Sequence, residues 1–369
     1  MTDLAIFLMD LQGGGAERVM LNLASGFAQK GLTVDLVLVQ KTGSYLSQIP
    51  PDIQVVDLKG KRLLTSLPAL ASYLRQQRPK ALMSALDDTN IVAILAKHFS
   101  GTSIPVIVTV HNHLSAEVRN ATQLKRRLVP YLIRWIYPGA DAVVGVSQGV
   151  AKDLLKFGSP PKKTHAIYNP IITTEVLNGL QESLEHEWFL PDQPPVILAV
   201  GRLDKQKDFA TLIQAFAQVR RQKTARLMIL GDGKERSSLE NLIEQLGLSN
   251  DVSLPGFVAN PYSYMAQAKL LVLSSAWEGF GNVLVEAMAA GTPVISTDCE
   301  SGPAEILVNG AYGQLVPVGA IDGMAQAIIT TLEKCISPEA LQHRSAEFSL
   351  EKAVSQYYQL FGLDLIASH

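Results

Sequence analysis

The residues best suited to chemistry are two glutamates, Glu278 and Glu286, which form an E-x7-E pattern. A glycine-punctuated loop holds the first glutamate. A helix expected from about Asn282 to Ala290, stopped by Gly291, holds the second. Because helical side chains lean toward the N-terminus of their helix, both carboxylates could reach one ligand. Two carboxylates at one site suit hydroxyl donors, as on a ribose and a hexose. The alternative is two solvated glutamates on an amphipathic helix.

The turn between these glutamates has the features of an anion site. Asn282 is a favourable N-cap for the expected helix. The backbone N–H groups of Gly281, Asn282 and Val283 would then be free to bind an anion.

A second group of charged residues lies in the segment GRLDKQKD, from Gly201 to Asp208. It places Arg202 and Lys207 between a strand end and a helix N-terminus, where the helix dipole disfavours cations. Their presence predicts a bound anion. A diphosphate would be matched by a guanidinium, an ammonium and helix N–H groups together. The alternative is two solvated basic residues in a loop.

A glycine run, Gly13 to Gly15, separates a predicted strand from a predicted helix and permits close approach of a ligand to the backbone. It does not complete a dinucleotide fingerprint, because Arg18 stands where the third glycine is needed. The second strand also ends at Gln40 and not at an acidic residue. A nicotinamide site is therefore not predicted.

His111 ends a further predicted strand, and ligands in parallel α/β sheets bind at that end of the strands. The alternative is a structural hydrogen-bonding role. His111 and His113 would alternate in direction along an extended chain, so they need not form a metal pair. Asp87 and Asp88 are more typical of a turn or helix cap. No metal site is predicted.

Strands and helices alternate along the chain, which implies parallel sheets. The pattern restarts after a polar, proline-containing linker near Pro170 to Gln193. We predict an α/β protein of two facing Rossmann-like, doubly wound domains, residues 1–175 and 176–349. A helix at about 350–369 is expected to pack back on the first domain. The predicted strands are Leu4 to Leu11, Leu32 to Val39, Ile104 to Val110, Ala142 to Val146, Val196 to Val200, Arg226 to Leu230, Leu270 to Leu273 and Pro293 to Ser296.

Composition agrees with a two-domain globular chain: 369 residues, of which 47% are apolar and 18% charged. The formal net charge of -2 argues against a nucleic-acid binder. Two cysteines, Cys299 and Cys335, cannot build a disulfide framework and are expected to be reduced thiols in a cytoplasmic protein. The first residues do not read as a signal peptide, and no apolar run is long enough to span a membrane.

Taken together, the motifs resemble glycosyltransferase family 4, which has the two-domain GT-B fold. The resemblance covers nearly the whole chain. It implies a retaining enzyme that transfers a sugar from a nucleotide-diphosphate donor without a metal or other cofactor. Its specific parts are GGGAER at Gly13 to Arg18, VTVHN at Val108 to Asn112, GRLDKQKD at Gly201 to Asp208, LGDGKE at Leu230 to Glu235 and the E-x7-E motif.

The same resemblance implies a role for each site residue. His111, Arg202, Lys207 and Glu278 would serve catalysis. In the donor site, Arg202 and Lys207 would contact the diphosphate, Glu286 the ribose, Glu278 the hexose and Val258 the nucleobase. Backbone N–H groups would come from Gly281, Asn282 and Val283. Gly14 and Gly15 would lie near the phosphates or the acceptor, and Gly201 and Gly231 would lie in the donor-binding loops.

The segment Thr297 to Leu307 resembles members of the family that build bacterial surface glycans on polyprenyl-diphosphate lipids. Glu300 and Ala304 replace a proline and an arginine common in that segment. We expect a UDP-sugar donor, a hexose or N-acetylhexosamine as the transferred sugar, and a glycan or lipid-linked acceptor. The alternatives are a nucleotide-sugar epimerase of the same fold and a non-catalytic subunit that binds a sugar nucleotide.

A basic, aromatic-rich segment from Lys125 to Tyr137 is typical of helices that lie on a membrane surface. It suggests peripheral contact with the inner face of the membrane. The alternative is a buried helix with a solvated basic end, and Pro130 argues against a long straight helix.

Overall fold

The computed structural model describes residues 2–121, 124–334 and 336–362, and their side chains except those of residues 124–128. Cys335 therefore lies outside the described residues. The chain divides into two compact units. The first comprises the residues up to Pro170 together with those from Leu350 onward, and the second comprises Ile171–Ser349. The division falls a few residues before the boundary expected at 175.

The first unit is built on a sheet of seven parallel strands in the order β3-β2-β1-β4-β5-β6-β7. Its inner strands are runs of apolar residues, because helices cover both faces of a parallel sheet. The strands are β1 (Leu4–Leu8), β2 (Val34–Leu38), β3 (Gln54–Asp57), β4 (Ala81–Ala85), β5 (Val106–Val110), β6 (Ala142–Gly145) and β7 (Thr164–Ala166).

Helices of the first unit follow most of its strands, as the alternating pattern predicted. They are α1 (Gly15–Gln29), α2 (Leu67–Gln77), α3 (Asp87–Ser100), α4 (Leu114–Asn120), α5 (Leu124–Ile136), α6 (Gln148–Lys156) and, after the second unit, α15 (Leu350–Phe361). Helix α5 contains Pro130 and leaves the side chains of Tyr131 and Trp135 exposed. Val129 and Ile133 of the same helix are buried, so α5 has one buried and one exposed face among the side chains that the structure describes.

The second unit repeats the architecture with six parallel strands in the order β10-β9-β8-β11-β12-β13. One buried apolar cluster joins its sheet to helices on its faces. The strands are β8 (Val196–Val200), β9 (Arg226–Leu230), β10 (Val252–Gly256), β11 (Leu270–Leu273), β12 (Val294–Thr297) and β13 (Gln314–Val316).

Eight helices of the second unit lie within the described residues: α7 (Thr174–Gln181), α8 (Phe209–Arg220), α9 (Arg236–Gln245), α10 (Pro261–Gln267), α11 (Asn282–Ala289), α12 (Pro303–Ile306), α13 (Ile321–Glu333) and α14 (Pro338–Ser345). Helix α7 corrects one expectation, because it occupies the segment predicted to be a linker. The side-chain amide of Asn260 donates to the Gly179 carbonyl at 3.0 Å, and Tyr262 packs against the same glycine. The segment thus belongs to the folded second unit.

Helix α15 returns to the first unit and packs on α1. The ring of Phe27 meets Tyr357 edge-on and is tilted against Tyr358, with centroids 6.3 and 5.7 Å apart. Gly26 allows this close approach, because a Cβ there would lie 2.7 Å from Val354. Residues 363–369, the end of the helix expected at about 350–369, are outside the described part of the chain.

Strand order reverses between β1 and β4 in the first unit and between β8 and β11 in the second. At such a switch point the loops that leave two neighbouring strands diverge and open a crevice at their carboxyl ends, where ligands bind. The glycine run follows β1, Lys207 follows β8 and Glu278 follows β11. Each predicted motif is therefore delivered to the carboxyl edge of its own sheet.

Candidate active site

The charged centre of the second unit is an ion pair between the Nζ of Lys207 and the Oε1 of Glu278. Lys207 lies in the loop after β8, just before Asp208, which caps α8 by accepting from the N–H of Thr211. The Lys207 and Glu278 side chains are only 19% and 9% exposed. The pair thus bridges the two loops that diverge at the switch point, and it places a cation and an anion side by side there.

Serine hydroxyls hold the two partners in place. Ser275 donates to the same Glu278 Oε1 at 2.6 Å, and Ser274 donates to the backbone carbonyl of Lys207 at 2.7 Å. Both serines directly follow β11, and both are buried. Sequence analysis did not single them out as site residues, since two serines in a loop carry no distinctive spacing.

Gln206 ties the β8 and β11 loops together through the backbone. Its carbonyl accepts from the N–H of Ala276 at 2.7 Å, and its side-chain amide donates to the carbonyl of Trp277 at 2.9 Å. Because these contacts fix both loops before any ligand arrives, the charged pair is preorganised, as electrostatic catalysis requires. Sequence analysis missed this role of Gln206.

The loop after β12 supports the Glu278 loop from the other side. Ser301 donates to the Glu278 carbonyl at 2.8 Å. Gly302 has a φ of 83°, and a Cβ there would lie 2.0 Å from the carbonyl oxygen of Phe280. Burial, together with the charge of Glu278, raises the pKa of the neighbouring Cys299 thiol to about 12. The thiol is therefore neutral, and the segment has a supporting role here.

Helix α11 begins at the residue predicted to be its N-cap, which is one residue earlier than that prediction implies. Gly281, with a φ of 100°, is the N-cap, and Asn282 is the first helical residue. The prediction of Asn282 as N-cap was wrong, because the left-handed geometry required at the cap is cheap only for glycine. The N-cap glycine itself has no side chain that could cap the helix, and a helix N-terminus suits anions. Glu286 lies in the second turn and is 9% exposed.

The loops after β8, β9 and β10 touch at glycines. Gly201 donates its N–H to the Leu230 carbonyl at 2.9 Å, and Gly231 donates to Gly256 at 2.8 Å. A Cβ on Gly231, whose φ is 134°, would lie 2.0 Å from the carbonyl oxygen of Gly201. Only glycine fits there, so this position keeps the three loops together.

Two further residues of the predicted donor site lie on these glycine-linked loops. Arg202 is exposed, and its guanidinium makes no hydrogen bond or ion pair with any residue that the structure describes. Val258, just beyond the end of β10, is partly exposed. The structure therefore brings Gly201, Arg202, Gly231 and the Val258 loop to one edge of the second sheet.

In the first unit, the glycine run lies at the carboxyl end of β1. Gly14 is the N-cap of α1 and Gly15 is its first residue, and a Cβ on Gly14 would lie 2.2 Å from a carboxylate oxygen of Glu17. Arg18 stacks on the ring of Tyr45, with its guanidinium carbon 4.6 Å from the ring centroid, and its Nε donates to the Tyr45 hydroxyl at 3.2 Å. The run thus places the start of α1 at the switch point.

His111 directly follows β5, with its Nε2 3.0 Å from the Thr109 hydroxyl. The residue is partly exposed, and burial lowers the pKa of the imidazole to about 4. His111 is therefore neutral at physiological pH. A neutral imidazole has one N–H donor and one acceptor nitrogen, so it can recognise a hydroxyl group without adding charge.

His113 and Asp87, the first of the paired aspartates, have structural roles. His113 Nδ1 accepts from the N–H of Ala116 at 3.3 Å and lies 3.5 Å from Asp153. Asp87 opens α3 and accepts from the Tyr137 hydroxyl at 3.2 Å. Within the described ranges, no three histidine, cysteine or acidic side chains are grouped so that they could hold a metal ion.

Comparison with known proteins assigns the chain to a family. The model "Glycosyltransferase Family 4" matches residues 13–175, and "Glycosyl transferases group 1" matches residues 181–348. An N-acetylgalactosaminyltransferase of Campylobacter jejuni that acts on a diphospho-undecaprenol-linked sugar is 32% identical over 362 residues, spanning 90% of this chain and 91% of the relative. The chain belongs to glycosyltransferase family 4. The predicted family and transferase activity are thereby confirmed.

Two further comparisons agree with the assignment of the chain to glycosyltransferase family 4. The lipopolysaccharide core biosynthesis glycosyltransferase LpsE of Rhizobium meliloti is 28% identical over 349 residues, which cover 93% of this chain and 92% of LpsE. The crystal structure of HepE from Anabaena with UDP and glucose superposes with a TM-score of 0.80 at 21% identity, covering 98% and 100% of the two chains. That likeness confirms the predicted GT-B fold. The roles of individual site residues stay predictions.

Proposed function

We propose that this glycosyltransferase transfers a hexose or N-acetylhexosamine from a UDP-sugar, with retention of anomeric configuration, to a glycan or lipid-linked acceptor in surface polysaccharide biosynthesis. The observation that carries the proposal is the Lys207–Glu278 pair at the switch point of the second sheet. The pair offers an ammonium to a departing diphosphate and a carboxylate to the hydroxyls of a sugar. A nucleotide sugar contains both a diphosphate and a sugar, so both groups of the pair can bind the same ligand.

The donor is proposed to lie along the carboxyl edge of the second sheet. Arg202 and Lys207 would bind its diphosphate, and the start of α11 would add N–H groups. Glu286 would accept from the ribose and Val258 would contact the base. A UDP-sugar is favoured because HepE, which has the same fold, binds UDP and glucose.

The chemistry assigned to these groups is charge stabilisation. As the bond between the anomeric carbon and the phosphate oxygen breaks, Lys207 and Arg202 neutralise the charge that develops on the diphosphate. The acceptor oxygen forms its bond on the face that the leaving group vacates. The departing phosphate takes the acceptor's proton, so atoms and charge balance without a base from the protein. His111 is proposed to contact the reacting sugar.

Glu278 is assigned to sugar binding and not to covalent catalysis. One of its oxygens already receives the Lys207 ammonium and the Ser275 hydroxyl. Hydrogen bonds of this kind stabilise the ionised carboxylate and weaken it as a nucleophile. This supports direct transfer over a glycosyl-enzyme intermediate.

The acceptor is proposed to be carried on a lipid. Two relatives support this, since one acts on a diphospho-undecaprenol-linked sugar and the other acts in lipopolysaccharide core synthesis. The segment from Thr297 to Leu307, which resembles that of polyprenyl-diphosphate-dependent members, points the same way.

Peripheral contact with the inner face of the membrane is proposed through α5. Tyr131 and Trp135 on this helix are 66% and 80% exposed. The helix sequence contains Lys125, Arg126, Arg127 and Arg134 and no acidic residue. Aromatic and basic side chains together suit an anionic lipid interface. No helix among the described residues has the length and apolar character needed to cross a membrane.

A thermal-shift panel tests the donor assignment. UDP, GDP, ADP and their sugars are added to the wild type and to Glu286→Ala. We expect UDP compounds alone to raise the melting temperature, and this rise to shrink in the variant. Acceptor-dependent release of UDP then tests transfer. Interconversion of the sugar nucleotide without an acceptor would indicate an epimerase, and binding without any turnover would indicate a non-catalytic subunit.

A further inference from the structure

Thr109 on β5 links a backbone carbonyl to the ring of His111. Its hydroxyl oxygen lies 2.9 Å from the carbonyl oxygen of Ser84 on the neighbouring strand β4, and 3.0 Å from the Nε2 of His111. The threonine is only 1% exposed, so water does not compete for these contacts. Both short contacts must therefore be satisfied by the hydrogens of the three groups themselves.

Only one arrangement of the hydrogens on Thr109 and His111 satisfies both contacts. A hydroxyl carries a single hydrogen, and a carbonyl oxygen can only accept. The contact with Ser84 therefore uses the Thr109 hydrogen, and the contact with His111 requires a hydrogen on Nε2. The remaining neighbour of the hydroxyl, the Met20 sulfur at 3.8 Å, is a weak acceptor and does not compete with the carbonyl.

Because His111 is neutral, this arrangement of hydrogens determines the hydrogen-bonding role of its other nitrogen. With its pKa near 4 the ring holds one hydrogen at physiological pH. If that hydrogen is on Nε2, the other nitrogen, Nδ1, presents a lone pair. The choice of tautomer thus decides whether the free nitrogen of the ring accepts or donates a hydrogen bond.

We propose that Thr109 is a positioning residue, which holds His111 in the tautomer protonated on Nε2 so that Nδ1 accepts a hydrogen bond from a hydroxyl group of the bound substrate. The inference rests on the proposed function for the existence of that hydroxyl. In the opposite tautomer Nδ1 would carry the hydrogen. The ring would then favour a substrate atom that accepts a hydrogen bond over a hydroxyl that donates one.

A buried polar network keeps Ser84 and Thr109 in register. The Ser84 hydroxyl donates to the Asn90 side chain at 2.8 Å, and the Asn90 amide donates to the Thr109 carbonyl at 2.8 Å. The same amide contacts the Tyr137 hydroxyl at 3.2 Å, which in turn donates to Asp87 at 3.2 Å. The carbonyl that takes the Thr109 hydrogen is therefore fixed before substrate binds.

The tautomer can be read directly from the nitrogen shifts of the histidine rings. We would label the seven histidines with 15N, assign His111 from the signals lost in His111→Gln, and compare Thr109→Val with Thr109→Ser. Thr164→Val is the matched control. It removes another hydroxyl of the same sheet, one that donates to the Pro160 carbonyl at 2.8 Å.

We expect Nε2 protonation in the wild type, in Thr109→Ser and in the control, and a mixture or reversal of tautomers in Thr109→Val. Transferase kcat/KM should fall roughly 10-fold or more in Thr109→Val, the scale of a lost hydrogen-bonding role in catalysis, and recover in Thr109→Ser. Wild-type Nδ1 protonation, or an unchanged tautomer in Thr109→Val, would overturn the inference. If the wild type transfers no sugar, the proposed function fails, whereas the valine-specific tautomer change would still support the role of Thr109.

Discussion

The Nζ of Lys207 and the Oε1 of Glu278 form a largely buried ion pair between the loops that follow β8 and β11. The two residues come from opposite sides of the strand-order reversal in the second sheet. The sheet topology therefore brings together two charges that are far apart in the sequence. Breaking the pair should affect both stability and turnover, and the two effects can be separated.

Replacing Lys207 by Met should remove the ammonium that pairs with the buried Glu278 carboxylate. Of the two side chains described above as donors to Glu278, Lys207 and Ser275, only the Ser275 hydroxyl would remain. We expect a loss of about 1–3 kcal/mol in the free energy of unfolding, since an uncompensated buried group costs that much. Turnover should fall by roughly 10²–10³-fold, because a preorganised charge is lost from the transition state. Urea denaturation and steady-state kinetics measure the two quantities.

The double variant Lys207→Met/Glu278→Gln should regain part of the stability but none of the activity, because a neutral amide no longer needs the ammonium. The exposed neighbour Lys205→Met is the control and should behave as the wild type. Wild-type turnover in Lys207→Met would contradict the catalytic role, whatever the stability result.

Gly231→Ala should disrupt the glycine-linked loops, because the new Cβ would lie 2.0 Å from a backbone oxygen of Gly201. We expect a loss of stability beyond the roughly 1–3 kcal/mol typical of backbone strain alone, and weaker stabilisation by UDP. Gly247→Ala is matched, since Gly247 also has a positive φ, 67°, but has open space around it. Equal melting temperatures for the two variants would contradict the close packing of these loops.

Acid should destabilise the native state through His111. The unfolded imidazole binds a proton below about pH 6.5, whereas the folded one does so only near pH 4. Between these values the unfolded state holds more protons, so stability falls as the pH drops. The contribution is at most about 3 kcal/mol. His111→Gln should lose less stability than the wild type between pH 7 and 4.5 in denaturant titrations. Identical slopes for the wild type and His111→Gln would refute the burial effect.

Removing the exposed aromatic rings of α5 should weaken binding to anionic vesicles. Tyr131→Ala/Trp135→Ala loses two large exposed rings, and we expect several-fold less protein to sediment with phosphatidylglycerol vesicles. Salt should weaken wild-type binding further, because the basic residues of the helix are screened. Phe257→Ala removes a 72% exposed ring from the second unit and should bind as the wild type does. Equal losses in both variants would argue against a specific role of α5.

Much of this architecture could be predicted because its elements carry local signals. Val196–Val200 and Arg226–Leu230 are apolar runs bounded by polar or glycine residues, and both strands have the predicted limits. The E-x7-E pattern likewise marked the loop and helix that hold Glu278 and Glu286. Such signals depend only on neighbours along the chain.

The contacts that complete the site depend on strand order and could not be read in the same way. Ser275, Ser301 and Gln206 became visible only when the sheet brought three loops together. Helix α7 was mistaken for a linker because its flanking charges and prolines outweighed a short amphipathic pattern. The cap of α11 was misplaced by one residue, because the positive φ of Gly281 is set by packing and not by cap preference.

The return of α15 to α1 has a consequence for the order in which the molecule matures on the ribosome. The first unit needs the rings of Tyr357 and Tyr358 to cover Phe27, yet these residues are translated after the whole second unit. The second unit has all its strands and helices available earlier, so it should reach its native state first, although it begins later in the chain. Until then, the apolar face of α1 that receives α15 would need protection, and ribosome-bound nascent chains should recruit a chaperone at that stage.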